Sequence, residues 1–310
     1  MRLAIFLITL LFIVPVQAET LTIIVQNING QPYYNARLLG KYMVKHYPGA
    51  TESVVKVVPG GNGINAANFI YNLAPKDGLT FGTFTRSAPL AGLIGGKNIQ
   101  FETDKFTWLG STSDGRKNPN VILSHRKYDG STLNMGEQGT SEGSTIDMIK
   151  NMTGWNLKRV SGYKDVPEIR LAFSRKEIDG FFIVYSTLMA GNPEFKPNII
   201  IQYGNGLARH TELKDVPTLM ELTVSEDNKK LLAYRELAEI MARPFVAPPQ
   251  ISNEKASLLR EAFNKAVHDP EFIEEAMKMS IDVSFLGHKD AEDIILRLKS
   301  LGIETLSKLD

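Results

Sequence analysis

The chain has 310 residues, of which 43% are hydrophobic and 22% are charged, the composition of an ordinary soluble globular protein. Lys and Arg total 35 and Asp and Glu total 34, and this net charge of +1 argues against a nucleic-acid binder and against a disordered charged tail. The sequence has no cysteine, which excludes disulfides, zinc–thiolate sites, cysteine nucleophiles and thiol redox chemistry.

The first 18 residues have the three-part pattern of a secretory signal peptide. Met1-Arg2 is a short basic start, residues 3–14 form an apolar run, and Val16-Gln17-Ala18 is a small-x-small cleavage signal. An apolar run of about 12 residues is too short to span a membrane as a helix, which disfavours an uncleaved anchor. We therefore expect cleavage after Ala18 and an exported protein that begins at Glu19.

The start of the mature chain alternates between strand and helix patterns. Apolar and β-branched runs predict strands, and apolar residues at helical spacing predict helices. In chain order these are a strand at 21–25, a helix at 35–46, a strand at 54–58, a helix at 64–73 and a strand at 79–84. Turns rich in glycine and proline separate them, and the alternation predicts a parallel sheet covered by helices.

The middle of the chain repeats this pattern, and the tail is helical. In chain order we predict strands at 120–123 and 133–135, helices at 145–152 and 166–174, strands at 179–185 and 199–202, a rigid extended crossing at 244–249, and tail helices around 258–267, from 270 onward and at 291–309. Two α/β units with loops at the carboxyl ends of their strands predict a ligand cleft.

The loop at 139–143 has the sequence GTSEG and fits opposed interpretations. It matches the G-x-S-x-G nucleophile elbow, and Asp179 and His210 follow Ser141 in the order that a secreted serine hydrolase requires. Alternatively, its backbone N–H groups and hydroxyls cradle an anion at the N-terminus of the next helix. A third interpretation is that Ser144 or Thr145 simply caps that helix. We favour the anion cradle, because a pattern with three fixed positions often occurs by chance.

Other candidate chemistry is sparse. The five histidines lack metal-binding spacing, so we expect no metal and no cofactor. Arg86 follows a predicted strand, where it could clamp a carboxylate with two hydrogen bonds or lie solvated on the surface. Tyr33 and Tyr34 could wall a pocket or belong to the core at a helix start.

Seven short segments, each weak alone, occur in a shared order along nearly the whole mature chain. They are ARLL at 36–39, PGGNGINAAN at 59–68, APKDG at 74–78, FTWLGS at 106–111, SGY at 161–163, DVPTL at 215–219 and ARPFVAPP at 242–249. In this order they resemble the receptor proteins of tripartite tricarboxylate transporters, which are the Bug-type solute-binding proteins.

The resemblance implies a type II periplasmic-binding-protein fold, in which two α/β lobes joined by two crossing segments enclose a ligand cleft. Lobe 1 would comprise residues 19–120 and 241–310, and lobe 2 residues 121–240. The implied function is that of a periplasmic receptor without enzymatic activity, which closes its lobes on a small organic anion, usually a carboxylate. It would act as a monomer and deliver this ligand to membrane permease subunits.

The resemblance also implies which residues line the ligand site. They are Gly30, Gln31, Pro32, Tyr33 and Tyr34 of the first loop, Thr85, Arg86 and Ser87 after the third strand, Gln138, Gly139, Thr140, Ser141, Ser144 and Thr145 of the Gly/Ser loop, and Asp179 and Phe181 at a strand end near the same cleft. Asn29 and Tyr33 replace a glycine and an aspartate that many family members carry, so no particular ligand is implied.

Overall fold

The computed structural model describes residues 18–28, 30–138, 144–204, 208–279, 281 and 283–301. Residues 1–17, Asn29 and the loop 139–143, with Gly139, Thr140 and Ser141, lie outside the described residues. Within the described part of the chain, no helix is long and apolar enough to cross a membrane.

The strands of the described residues are β1 (Glu19–Val25), β2 (Ala50–Val57), β3 (Thr80–Thr83), β4 (Thr107–Ser111), β5 (Asn120–Ser124), β6 (Leu133–Gln138), β7 (Leu157–Tyr163), β8 (Gly180–Val184), β9 (Ile199–Tyr203), β10 (Pro244–Ala247) and β11 (Leu286–Gly287). The helices are α1 (Gln31–Met43), α2 (Ile64–Asn72), α3 (Ala88–Ile94), α4 (Thr145–Thr153), α5 (Val166–Ser174), α6 (Tyr185–Gly191), α7 (Leu219–Leu222), α8 (Glu226–Ile240), α9 (Asn253–Val267), α10 (Pro270–Lys278) and α11 (His288–Ser300).

The first sheet has the strand order β11-β4-β10-β3-β1-β2. Strand β1 pairs in parallel with β2 and β3, as the strand–helix alternation predicts. Strand β10 enters from the far end of the sequence and pairs antiparallel with both β3 and β4. The segment predicted as an extended crossing is therefore a central strand of this sheet.

The second sheet has the order β7-β6-β8-β5-β9. Strand β6 is parallel to both of its neighbours, β7 and β8, whereas β5 is antiparallel to β8 and β9. Every strand of this sheet lies between residues 120 and 203, so the two sheets are separate α/β lobes.

Two segments of the chain cross between the lobes and contact each other. Asp114 forms an antiparallel bridge with Met241, and the backbone N of Thr112 donates to the carbonyl oxygen of Arg243 at 3.2 Å. Gly115 packs so closely here that a Cβ atom would lie 2.5 Å from the carbonyl oxygen of Glu239. The result is the predicted type II periplasmic-binding-protein architecture, with the two crossings adjacent at the base of the cleft.

Each lobe has its own buried aromatic core. In the first lobe, Phe81 and Phe245 pack across the sheet and contact Phe263 of α9. In the second lobe, Phe173 and Phe181 pack edge to face at 5.1 Å between ring centroids. Each of these aromatic clusters lies within a single lobe.

Helix α8 contributes to the cores of both lobes. Tyr234, Leu237 and Ile240 are buried with residues of the first lobe, whereas Leu232 is buried with residues of the second lobe. The lobe boundaries drawn at residues 120 and 240 stay a prediction.

Candidate functional site

A cavity of about 790 Å³ lies between the lobes at the base of the cleft. A smaller cavity of about 330 Å³ adjoins it and shares Arg86, Val184, Glu239, Ala242 and Arg243 with it. The two together are called the cleft cavity below. Its walls come from the start of α1, the loop after β3, the end of β8, helix α8 and both crossings. Cavities of this size accommodate small molecules.

The start of α1 forms one wall of the cleft cavity. Gly30 precedes the helix with φ of +94°, a conformation that favours glycine, and its residue type provides no side-chain cap. Gln31 and Pro32 then line the cavity, as the family resemblance implies. Asn35, one turn further, donates through Nδ2 to Thr112 Oγ1 at 2.6 Å.

Two amide side chains on this side of the cavity have an oxygen atom that accepts no hydrogen bond from the described residues. Gln26 Oε1 and Asn35 Oδ1 are buried, line the cleft cavity and have no hydrogen-bond partner among the described residues. A buried polar atom without a partner costs free energy. A ligand or water that donates a hydrogen bond here would recover part of that cost.

The loop after β3 forms a second wall. Thr85, Arg86 and Ser87, three of the residues expected at the ligand site, all line the cleft cavity. Thr85 Oγ1 donates to the carbonyl oxygen of Asn62 at 2.7 Å, which fixes this loop against the glycine-rich turn before α2. At Gly63 in that turn, φ is +89° and a Cβ atom would lie 3.0 Å from the backbone N of Thr85. Glycine is therefore required for the turn and the loop to meet.

Three arginines and one glutamate supply the charge of the cleft cavity. Arg86, Arg235, Arg243 and Glu239 are the ionisable residues among the described residues that line it. Arg86 Nη1 donates to Glu239 Oε2 in a close ion pair. Arg243 is held at the crossing, where its Nη2 donates to Gln31 Oε1.

The position of Glu239 is electrostatically unusual. Burial raises the pKa of Glu239, and the neighbouring Arg86 and Arg235 oppose that rise. The pKa of the nearby Tyr203 is also raised, chiefly by burial and further by Glu239. In both cases the dominant cause is burial of the ionisable group itself, which disfavours its charged form.

The favoured interpretation of the sequence was an anion cradle at the N-terminus of α4. In the structure, this N-terminus binds the carboxylate of Glu137. The backbone N of Thr145 donates to Glu137 Oε1 at 2.8 Å, and Ser144 Oγ donates to Glu137 Oε2. Ser144 Oγ also accepts from the backbone N of Asp147 at 3.2 Å, so Ser144 caps the helix as the third interpretation predicts.

Ser144 and Thr145 are thus occupied within the second lobe. Neither lines the cleft cavity, and the Thr145 side chain hydrogen-bonds to Tyr203. Gln138 ends β6 immediately before the loop that lies outside the described residues.

The structure places Tyr33 and Tyr34 outside the cleft cavity. Both line a separate groove of about 600 Å³ between α1, β2 and α10, where their rings pack edge to face at 5.7 Å. Successive helix residues point in directions about 100° apart, so Gln31 and Pro32 face the cleft while the next two residues face away from it. The expectation that these tyrosines shape the ligand pocket is not supported by this geometry.

Asp179 and Phe181 also lie away from the cleft cavity. Strand β8 runs toward the cleft and reaches it at Val184, so Asp179 lies at the opposite end of the strand. Its carboxylate accepts hydrogen bonds from the backbone N and the Nδ2 of Asn134, at 2.7 and 3.1 Å. Phe181 is fully buried in the core of the second lobe.

The hydrolase interpretation lacks an Asp–His pair. His210 packs against Tyr185, which directly follows the cleft end of β8, with 5.3 Å between ring centroids. Asp179 precedes the other end of the same strand, so roughly 16 Å of strand separates the two residues. No cluster of three or more His, Asp or Glu residues that could hold a metal ion occurs among the described residues.

Several cavity residues were not predicted from the sequence. The polar and charged side chains among them include Gln26, Asn35, Asn62, Arg235, Glu239 and Arg243. Asn62 and Arg243 lie in two of the segments that carry the family resemblance. Their position in these segments could have identified them as candidate site residues. For Arg235 and Glu239 we find no comparable signal.

Comparison with known proteins identifies the fold. No protein-family model matches the chain, and no curated protein matches it. Among solved structures, a TctC solute-binding protein from Polaromonas has a TM-score of 0.67 at 14% identity, covering 95% of this chain and 99% of that one.

Two further structures show the same fold at lower scores. MatC from Rhodopseudomonas palustris, solved with bound malate, has a TM-score of 0.53 at 16% identity, covering 93% of this chain and 99% of that one. The periplasmic binding protein BugD has a TM-score of 0.52 at 17% identity, covering 94% of this chain and 97% of that one. The chain therefore has the fold of the TctC and Bug-type periplasmic binding proteins, as its sequence resemblance predicts.

Proposed function

We propose that this chain is an exported receptor, which captures a small organic anion, a carboxylate, in the cleft cavity and delivers it to the permease of a tripartite tricarboxylate-type transporter. The observation that carries the proposal is the excess of arginine over glutamate in a cavity between two lobes of this fold. Guanidinium groups form paired hydrogen bonds with carboxylates, and these charge-assisted hydrogen bonds are stronger than those between neutral groups. The malate bound to MatC supports a carboxylate as the ligand class.

The mode of capture follows from the crossings. The lobes are joined by two adjacent segments, and Arg86 and Arg243 lie beside that junction. A hinge motion about it would bury a ligand against these guanidinium groups, and the ligand would stabilise the closed form by its preferential affinity for it. On this proposal the receptor binds without chemistry, and Asp179 and His210, the two candidate partners of Ser141, lie toward opposite ends of β8.

Calorimetric titration tests this proposal directly. The exported protein, purified from the periplasm and stripped of solute by unfolding and refolding, is titrated with mono-, di- and tricarboxylates. We expect saturable one-to-one binding without product formation, at micromolar affinity or about −8 kcal/mol. Mass spectrometry of the same sample tests cleavage after Ala18. Absence of binding across the panel, or turnover of an ester, would contradict the proposal.

A matched pair of variants locates the site. Arg243→Gln removes a guanidinium of the cleft cavity, and we expect its affinity to fall roughly 10- to 100-fold, the effect of losing a hydrogen bond to a charged group. Arg175→Gln is the control, because it removes the same charge from an exposed side chain of the second lobe. The Nη1 atom of Arg175 lies 3.9 Å from Glu177 Oε1. Equal affinities for the two variants would place the ligand elsewhere.

A further inference from the structure

Strand β2 is an edge strand of the first sheet and pairs only with β1 among the strands of the described residues. The backbone N of Val58, directly after β2, donates to the carbonyl oxygen of Val25 in β1 at 2.8 Å. Because backbone groups of successive strand residues point in opposite directions, the even-numbered residues of β2 bond toward β1. Ser53, Val55 and Val57 therefore direct their N–H and C=O groups to the open edge. Such an edge can pair with another strand.

The side chains of β2 make this edge complementary to itself. Glu52, Val54 and Lys56 are exposed and alternate along one face of the strand, with the acid and the base equally spaced about Val54. Neither Glu52 nor Lys56 has an ion-pair partner among the described residues. Thr20 Oγ1 donates to Glu52 Oε1 at 2.8 Å, and Lys56 Nζ lies 4.7 Å from the ring centroid of Phe69.

We infer that β2 pairs antiparallel with β2 of a second copy of this chain, about a two-fold axis at Val54. In this register Glu52 of each copy lies opposite Lys56 of the other, and the two Val54 side chains meet at the axis. Ser53 then lies opposite Val55, and both direct their backbone groups to the edge, as a hydrogen-bonded pair requires. The charged pairs are at the positions without hydrogen bonds, where opposed side chains are closest.

The charges select this register from its neighbours. Moving the axis by one residue, to Ser53 or Val55, keeps the backbone pairing but sets Glu52 or Lys56 opposite Val54. Both opposite-charge pairs are then lost, and each such pair stabilises a sheet. A two-fold pair uses the edge of both copies, so it closes as a dimer and adds no further copies.

The groove beside the same edge adds apolar surface on the other face of the strand. Tyr34 and Met279, which are 44% and 42% exposed, line this groove together with Ser53 and Val55. The two-fold axis sets the grooves of the two copies next to each other across the paired strands. Exposed apolar surface next to an open edge is typical of an interaction site.

Both clefts stay open in this dimer. Gln26 and Thr85, which line the cleft cavity, lie just past the carboxyl ends of β1 and β3, and β2 runs parallel to β1. The two β2 strands run in opposite directions, so the two clefts open toward opposite sides. The dimer is therefore independent of the proposed ligand binding, and it replaces the monomer that the family resemblance implies.

Sedimentation velocity of the exported protein, from micromolar to millimolar concentration, tests the inference. One strand pair and its flanks bury less than the about 1,600 Å² of a standard interface, so we expect a reversible, concentration-dependent dimer. Glu52→Lys and Lys56→Glu each set like charges opposite one another, and we expect the dimer Kd of each variant to rise about tenfold.

Mixing the two variants provides the decisive arm. A heterodimer of Glu52→Lys with Lys56→Glu has opposite charges at both pairs, so the mixture should associate about as strongly as the wild type, a result that misfolding cannot produce. Glu177→Lys is the control, because it makes the same charge change at an exposed side chain of the second lobe and should leave the Kd unchanged.

A single cysteine locates the axis, since the chain has none of its own. In Val54→Cys the two thiols lie opposite each other, and we expect oxidation to link two copies at least about tenfold faster than in Leu171→Cys, which is similarly exposed on the second lobe.

Two results would overturn the inference. One is a monomer at every concentration, with both cysteine variants linked at the same slow rate. The other is a dimer that Glu52→Lys and Lys56→Glu leave as strong as in the wild type, which would assign it to another surface. Ligand affinity, measured by calorimetry on the same proteins, should be equal in all variants, so either result leaves the proposed receptor function standing.

Discussion

Replacing Phe181 tests whether this residue belongs to the ligand site or to the core of the second lobe. The family resemblance places it near the cleft, whereas the structure buries it completely and packs it edge to face on Phe173. Phe181→Ala leaves a cavity in the second lobe and removes this ring contact. Truncation of a buried phenylalanine costs about 3–5 kcal/mol, a large part of the 5–15 kcal/mol that typically stabilises a domain. Taking about 2 kcal/mol per molar for the urea dependence, the unfolding midpoint should fall by about 1.5–2.5 M.

The two tryptophans of the chain allow the affected lobe to be identified. Trp108 is buried in β4 of the first lobe, and Trp155 stacks on Tyr128 in the second lobe with 4.4 Å between ring centroids. In a Trp108→Phe background, tryptophan fluorescence during urea unfolding reports on the second lobe. We expect the lower midpoint in this signal, with the ligand affinity of the folded protein unchanged.

Leu171→Ala is the control for this experiment. Leu171 is 48% exposed on α5 of the same lobe, so its truncation should change stability by no more than about 0.5 kcal/mol. An unchanged midpoint for Phe181→Ala, combined with a large loss of ligand affinity, would refute the core assignment and return Phe181 to the ligand site.

Three further predictions concern stability. Gly115→Ala introduces a Cβ atom 2.5 Å from the carbonyl oxygen of Glu239, so we expect thermal unfolding to show a loss of about 1–3 kcal/mol in the free energy of unfolding. Gly287→Ala is the control and should lose almost nothing, because the atom nearest to its new Cβ lies at 3.9 Å. Equal losses for the two variants would contradict the steric argument. Ser144→Ala removes a helix cap, and urea unfolding should show a loss of about 1 kcal/mol, whereas an unchanged midpoint would mean that the cap contributes nothing. Hydrogen bonds from Arg209 lower the pKa of Glu221 from 4.5 to about 2, so its contribution is fully present above the unfolded pKa and is lost as the pH falls through 2. Glu221→Gln should therefore be less stable than the wild type by up to about 1 kcal/mol at pH 7, and the difference should shrink steadily below pH 4; a difference that does not change between pH 7 and pH 2 would exclude this charge as its cause.

Much of the fold could be predicted because its signals are local. The buried strand β1 and the helix α5 follow from apolar runs and spacing, and Asp269 before Pro270 caps α10 as expected. Strand β10 was predicted as extended but not as part of a sheet. Its partners β3 and β4 are more than 130 residues away in sequence, and pairing over such a separation leaves no local signal.

Helix α8 was missed for a different physical reason. Residues 232–240 are buried on nearly every side, including Leu232, Tyr234, Leu237 and Ile240, because the helix packs against both lobes. A helix buried all round has no single apolar stripe, so its periodicity is weak. Arg235 and Glu239 were missed with it, although they are two of the four charged residues that the described part of the chain brings to the cleft cavity.

The other errors concern direction and distance. The predicted position of β8 in the sequence agrees with the structure. Which end of the strand faces the cleft depends on how the second sheet is oriented, and this orientation could not be predicted. Asp179 was expected at the cleft end but lies at the opposite end. The N-terminus of α4 was recognised as an anion site, but Glu137 was not recognised as the anion. Both facts depend on tertiary structure rather than on any short segment.

The packing of α8 in both cores also has a mechanical consequence. Two extended linkers could rotate freely, whereas a helix that packs into both cores resists rotation. Because Leu232 and Tyr234 are buried in different lobes, rotation of one lobe against the other would bend this helix or expose one of these side chains, and burial of a leucine is worth about 1.5–3 kcal/mol. We therefore expect helix α8 to limit rotation of the lobes, and Glu239, which this helix carries, to stay beside the junction.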